Sequence, residues 1–173
     1  PITTPSAQAV ATSANGIPIV FSAISDPVGA NLVTALDKPG ETITGIADIP
    51  DFEKSLEMIQ AVLPSVKRIG IPHNPGEPNV VDALKRVQAA ADKAGIQIIT
   101  SAANRSSDVQ IATQTLVGKV DAIYVLLDNT VVSALESVLK TGIDNRIPVF
   151  ATDTHSVERG SVAGLGYNQY DKW

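Results

Sequence analysis

Five short polar stretches hold most of the side chains in this sequence that could do chemistry. They are SAISDPVG (22–29), PHNPGEPN (72–79), DNT (128–130), TDTHS (152–156) and GYNQYD (166–171), and each follows an apolar run. They supply carboxylates, amides, hydroxyls and backbone N–H groups, with no Lys or Arg. Such a set suits a zwitterion, because helix N-termini take a carboxylate and an Asp takes an ammonium. A plainer reading applies to each stretch taken alone: Asp, Asn, Ser and Thr are the ordinary helix N-caps. Five such stretches on one edge of a sheet supply more polar groups than five caps require.

Catalytic constellations are weaker. His73 and His155 are the only histidines, and neither belongs to an HExxH-type pattern, so no metal site is expected. Ser22 lacks the G-x-S-x-G elbow of hydrolases. There is no Walker A or G-x-G-x-x-G motif, and no cofactor is expected. Asp26, Glu77, Asp128 and Asp153 could form an acid–base pair, but nothing in the sequence brings two of them together. Cysteine is absent, which excludes disulfides, thiolate metal sites and a thiol racemase.

Composition narrows the partners. Hydrophobic residues make up 44% and charged residues 18% of the 173, a globular balance. The net charge of -5 and the absence of a basic cluster argue against nucleic acid. No apolar run approaches the ~20 residues that cross a bilayer. Pro1 begins neither an initiator nor a signal peptide, so the chain reads as a processed or excised piece.

The elements that must position the polar stretches alternate in type. IPIVFS (17–22), TITGIA (42–47 region), KRIGIP (67–72), IQIIT (96–100), AIYVLL (122–127), IPVFAT (147–152) and GSVAGLG (160–166) read as strands. Helical spacing is expected over Ala30–Leu36 and Asp51–Leu63. It recurs along Val80, Leu84, Val87, Ala91 and Ala94, where Gly95 ends the helix as a left-handed cap. Val109, Ala112 and Leu116 mark another helix, one more starts by Val131, and a short one covers His155–Arg159. Alternation of this kind implies right-handed crossovers and parallel sheets, hence a doubly wound α/β fold. Ligands of such sheets bind beyond the carboxyl ends of the strands, where all five polar stretches lie.

At these stretches the sequence becomes similar to a known family. TPSAQA, IPIVFSAISDPVGANLV, TITGIAD, KRIGIPHNPGEPN, VDAIYVLLDNTVVSALE, IPVFATDTHSVERG and AGLGYNQYD closely resemble ABC-transporter substrate-binding proteins of the tryptophan/tyrosine group, in order and over nearly all 173 residues. The resemblance implies a type I periplasmic binding protein: two doubly wound lobes that close on a ligand between them. It implies an amino acid ligand, aromatic in kind, passed to a membrane permease, with no catalysis. It also implies a periplasmic or extracellular address, with a lipid anchor as one form of attachment. The family's chains are longer, so lobe 1 is expected to be incomplete here. On this mapping 1–46 and 149–173 form lobe 1 and 47–148 form lobe 2.

Carried over by motif, the ligand contacts expected from lobe 1 are Thr4, Ser6, Ser22 and Ile24. Those from lobe 2 are Asn74, Glu77, Asn79, Asp128 and Asn129. Asp153 is the first choice for the ammonium partner, with Asp128 its competitor, and Tyr167 and Gln169 close the site. The chain has only seven aromatic residues; Phe21, Tyr167 or Tyr170 could stack on a ligand ring. Two other classes fit the fold: a small-molecule-sensing regulator core, which needs a basic helical headpiece before Pro1, and an enzyme on a doubly wound sheet.

Overall fold

The computed structural model describes residues 2–14, 16–38 and 40–166. In chain order the elements are α1 (Thr4–Ser13), β1 (Ile19–Ile24), β2 (Ile43–Ala47), α2 (Phe52–Val62), β3 (Arg68–His73), α3 (Pro78–Ala94) and β4 (Gln97–Ala102). A 3-10 turn (Ser106–Asp108) leads into α4 (Val109–Gln114). Then come β5 (Ala122–Val125), α5 (Asn129–Val132), α6 (Leu135–Asn145), β6 (Val149–Ala151), α7 (Thr154–Glu158) and β7 (Ala163–Gly164).

Five strands form one parallel sheet in the order β4-β3-β5-β6-β7. Counted within that sheet the order is 2-1-3-4-5, a doubly wound arrangement whose switch point lies between β3 and β5. Strand β5 shows why the sequence reads as a continuous apolar run. Ala122, Tyr124 and Leu126 face a core built with Phe52, Leu56 and Ile59 of α2 and Val80 and Val87 of α3. Ile123 and Val125 face the opposite core, with Val109 and Ala112 of α4 and Leu135 and Val138 of α6. Both faces are covered, so the strand is a continuous run of apolar and aromatic residues. Gly142 allows the close approach of α6: a Cβ there would lie 2.6 Å from Val149 Cγ2 and 2.7 Å from the Ile147 carbonyl oxygen.

The helix ends follow the sequence rules. Gly95 takes φ 67° and closes α3, its N–H bonded to Asp92 O and Ala91 O. Asp51, Asp128 and Asp153 cap α2, α5 and α7, accepting the backbone N–H of Lys54, Val131 and Ser156. The helix expected from Val131 onward is two pieces. Ala134 leaves helical geometry (φ -119°, ψ 26°) and separates α5 from α6.

A second parallel sheet pairs β1 with β2, and a single bridge adds Ile2 beside Ser22. Its core is small: Ala7, Phe21, Ile24, Ala30, Leu32 and Val33. Two expectations need correction here. Ala30–Leu36 is not helical; Pro27 opens a turn in which Asn31 takes φ 57°, and the Leu32 and Val33 N–H groups both bond back to Pro27 O. Its apolar residues enter the core from irregular chain. The boundary at residue 149 also moves. Val149–Ala151 pairs with β5, and Ala163–Gly164 pairs with β6, so residues 149–164 extend the five-stranded sheet instead of returning to the first.

Among the described residues the first sheet has only two strands and leaves apolar side chains uncovered. Val20 is 67% and Ile17 66% exposed, with Ile2, Leu36 and Ile46 also exposed. Two strands are marginal as a free unit, and open edges recruit further chains. Expressed as this 173-residue chain, the protein is therefore expected to associate with rising concentration and to bind a dye that reports apolar surface. Size-exclusion chromatography with light scattering checks this; a stable compact monomer at every concentration would refute it.

Candidate functional site

The carboxyl ends of both sheets open onto one cleft of about 990 Å³. That is near the top of the roughly 300–1,000 Å³ range of small-molecule pockets. One wall belongs to the first sheet: Ile2, Thr3 and Thr4 at the start of α1, with Ala23 near the end of β1 and Ser25 just after it. The floor is the chain that crosses between the sheets, with Asp48, Pro50, Asp51 and Lys54. The other wall is Asn79, Leu127, Asp128, Asn129 and Val132 at the switch point, then Thr152–His155, Glu158, Leu165 and Gly166.

The two walls differ in hydrogen-bonding character. Helix α1 has no side-chain cap, unlike α2, α5 and α7, each capped by an Asp, and it has no acidic residue in its first turn. Its first N–H groups are left with the positive end of the helix dipole, beside the buried Thr4. Thr3 (φ 78°) and Ala23 (φ 55°) hold backbone angles that L residues rarely adopt, and both line the cleft. Each such residue costs on the order of 1–3 kcal/mol, which the surrounding packing must offset.

The opposite wall is organised by two buried carboxylates. Glu77 Oε2 accepts from Asn129 N (3.1 Å) and Asn129 Nδ2 (2.7 Å), while Oε1 accepts from Thr130 N (3.1 Å) and Thr130 Oγ1 (2.8 Å). Asp128 Oδ2 accepts from Asn74 N (2.6 Å) and Oδ1 from Val131 N (3.0 Å). The loop after β3 and the loop after β5 are thereby clamped together. Asn79 Nδ2 donates to Leu127 O at 2.9 Å, a third tie between them. Asp153 Oδ1 and Oδ2 accept from Ser156 N (2.6 Å) and Ser156 Oγ (2.7 Å).

Burial pushes the Asp128 carboxyl above its ordinary value, more than the Asn74 and Val131 N–H groups draw it down; the Glu77 charge nearby adds to the rise. The cleft is acidic overall, with Asp48, Asp51, Asp128, Asp153 and Glu158 against Lys54 and His155. Its apolar lining is aliphatic, from Ile2, Pro50, Leu127, Val132 and Leu165, with no aromatic ring among the described residues.

Of the residues named from sequence, Thr4, Asn79, Asp128, Asn129 and Asp153 lie on the cleft. Five others do not. Ile24 is fully buried in the small core. Ser22 is held in the sheet opposite Ile2. Ser6 turns back to the carbonyls of Ile2 and Thr3. Asn74 is spent on Thr130 and Gly76, and Glu77 on α5. Tyr167 and Gln169 lie outside the described residues. Phe21, suggested as a stacking ring, is core. The floor was missed: Asp51 and Lys54 read as the first turn of an ordinary helix.

The model of the ABC transporter substrate binding protein family matches residues 1–172. The chain belongs to this family. A tyrosine-binding protein of Clostridioides difficile is 37% identical over 171 residues, covering 99% of this chain and 49% of its own length. The chain thus spans about half the length of that curated relative. Among solved structures, a conserved domain protein from Vibrio cholerae superposes with a TM-score of 0.95 at 45% identity, over 98% of this chain and 57% of that one. An ABC domain from Streptococcus pneumonia in complex with L-Trp gives 0.94 at 35% identity, over 98% and 59%. A ligand-free, open substrate binding protein with adhesive properties from Clostridium difficile gives 0.72 at 38% identity, over 96% and 57%.

The raised Asp128 value gives a pH test. Its folded value lies above the ordinary 3.8, so the native state holds the proton to higher pH than the unfolded chain does. Its favourable contribution is therefore complete below the unfolded value and lost as pH rises through the folded one. Urea unfolding of wild type and Asp128→Asn from pH 3.5 upward is expected to show the stability difference, wild type minus variant, falling with pH. A flat or rising difference would contradict the assignment.

Proposed function

We propose that the intact protein is the extracytoplasmic solute-binding component of an ABC importer and holds an aromatic amino acid in the cleft. The observation that carries this reading is the opposition of two unlike walls. The uncapped N-terminus of α1 suits a carboxylate, while Asp153, Asp128, Asn79 and Asn129 across the cleft suit an ammonium. The aliphatic lining between them suits a side chain. The relatives that bind tyrosine and L-Trp favour an aromatic one. The superposition on a protein in complex with L-Trp, with a TM-score of 0.94, supports an amino acid as the ligand.

On this reading the protein performs no chemical step. Its partners are the amino acid and the permease, and its address is periplasmic or extracellular, lipid-anchored or free. Among the described residues no helix is long and apolar enough to cross a membrane.

The test is a thermal-shift panel of the twenty amino acids on the intact protein. A ligand at 100 times its Kd adds about 2.7 kcal/mol of stability, so Trp, Tyr or Phe is expected to raise Tm by several degrees while the charged amino acids do not. No shift with any amino acid would sink the proposal.

A further inference from the structure

Glu77 lies behind the cleft wall, yet it decides which end of Asn129 remains free. We infer that Glu77 is a positioning residue for ligand recognition: by holding the Asn129 amide nitrogen it leaves Asn129 Oδ1 as the free, accepting end of a residue on the cleft wall, where it reads a free primary ammonium. The inference rests on the amino-acid reading above and adds the device that gives it specificity.

An asparagine amide presents two donors at one end and an acceptor at the other. The Glu77 carboxylate is only 7% exposed and takes four donors from Asn129 and Thr130. With Nδ2 at 2.7 Å from Oε2, turning the amide over would press one oxygen against another. Asn129 Oδ1 is therefore the free end of a residue that lines the cleft. Asn79 follows the same rule through a different partner. Its Nδ2 donates to the Leu127 carbonyl, and its Oδ1 is buried with no hydrogen-bond partner.

The neighbours have the same polarity. Thr152 Oγ1 spends its hydrogen on Val125 O at 3.1 Å. Asp128 and Asp153 accept from backbone N–H groups and, when ionised, have no hydrogen to give. Asn129 Oδ1 and the Asp153 carboxylate thus offer lone pairs on this wall. A primary ammonium brings three donors and no acceptor. A desamino ligand brings none at that position and leaves Asn129 Oδ1 without a donor, a loss that sites built for N–H groups punish heavily.

The test is calorimetric titration of the intact protein with two pairs: L-tryptophan against indole-3-propionate, and L-tyrosine against 3-(4-hydroxyphenyl)propionate. Wild type is expected to favour the amino acid by on the order of 100-fold or more. In Glu77→Gln one of the two accepting oxygens becomes a donor that meets a backbone N–H in either orientation, so the hold on the Asn129 amide is weakened and Nδ2 is free to turn to the cleft. The preference ratio is then expected to fall about tenfold, with the desamino compound binding no more weakly than to wild type.

Loosening of the loops alone would weaken both members of a pair equally and keep the ratio, which would overturn the inference. Asn129→Ala leaves Glu77 its bonds to the Asn129 and Thr130 N–H groups, and it should lower the ratio to the same degree. Combining the two substitutions should add nothing, as for residues that act through one another. If Glu77→Gln does not fold, Asn129→Ala decides, and an unchanged ratio there overturns the inference. Failure of wild type to bind either amino acid is a different result, which overturns the amino-acid reading and this inference with it.

Discussion

Two carboxylates buried at the switch point hold the chemistry of this protein in place. Glu77 and Asp128 come from different loops, and each reaches over to the other loop's backbone or to the helix that follows it. Two negative charges buried this close would be costly if left bare. Here six hydrogen bonds from N–H and O–H groups surround them, four on Glu77 and two on Asp128. The clamp fixes the ends of β3 and β5 relative to each other, and so fixes the orientation of Asn79, Asn129 and the start of α5. Those are the groups that the second sheet presents to the cleft. A doubly wound sheet opens a crevice at its switch point because the flanking helices diverge there. In this chain the crevice is kept from collapsing or spreading by charge-assisted hydrogen bonds, not by apolar packing.

The first sheet works under a different constraint. It carries the uncapped helix and the strained residues Thr3 and Ala23, yet it rests on a core of six buried residues. The second sheet has two cores of some fifteen residues on opposite faces. Strain therefore sits in the lobe with less packing to oppose it. This arrangement is intelligible when local backbone geometry must be held by contacts across the cleft as well as from behind.

Much of this was legible in the sequence where one residue type has one physical use. The run Ala122–Leu127 could only be a strand covered on both faces, and Gly95 could only end a left-handed helix cap. The positions of the polar loops followed from the alternation of elements, and Asp128 and Asp153 stood out because they follow strands directly. The sequence was silent where one residue type has two uses. Glu77 reads the same whether it caps a neighbouring helix or meets a ligand. Val149–Phe150–Ala151 reads as a buried strand without saying which sheet it joins, and the boundary was misplaced for that reason. Ala30–Leu36 has helical spacing, but Pro27 and the left-handed Asn31 override it. The aliphatic Val132 and the crossing residues Asp51 and Lys54 carry no local mark of a cleft at all.

The crossing itself has a mechanical side. Between the Asp48 N–H, bonded to Ile24 O, and Asp51, which caps α2, the chain has only Ile49 and Pro50 to join the two sheets. Proline fixes its own φ near -65° and confines the residue before it to extended angles. Most of the rotations that a two-residue joint would offer are thus removed, and what is left resembles an axle more than a swivel. With so few rotations left at this junction, the backbone itself helps to hold the two walls in one relation across the cleft.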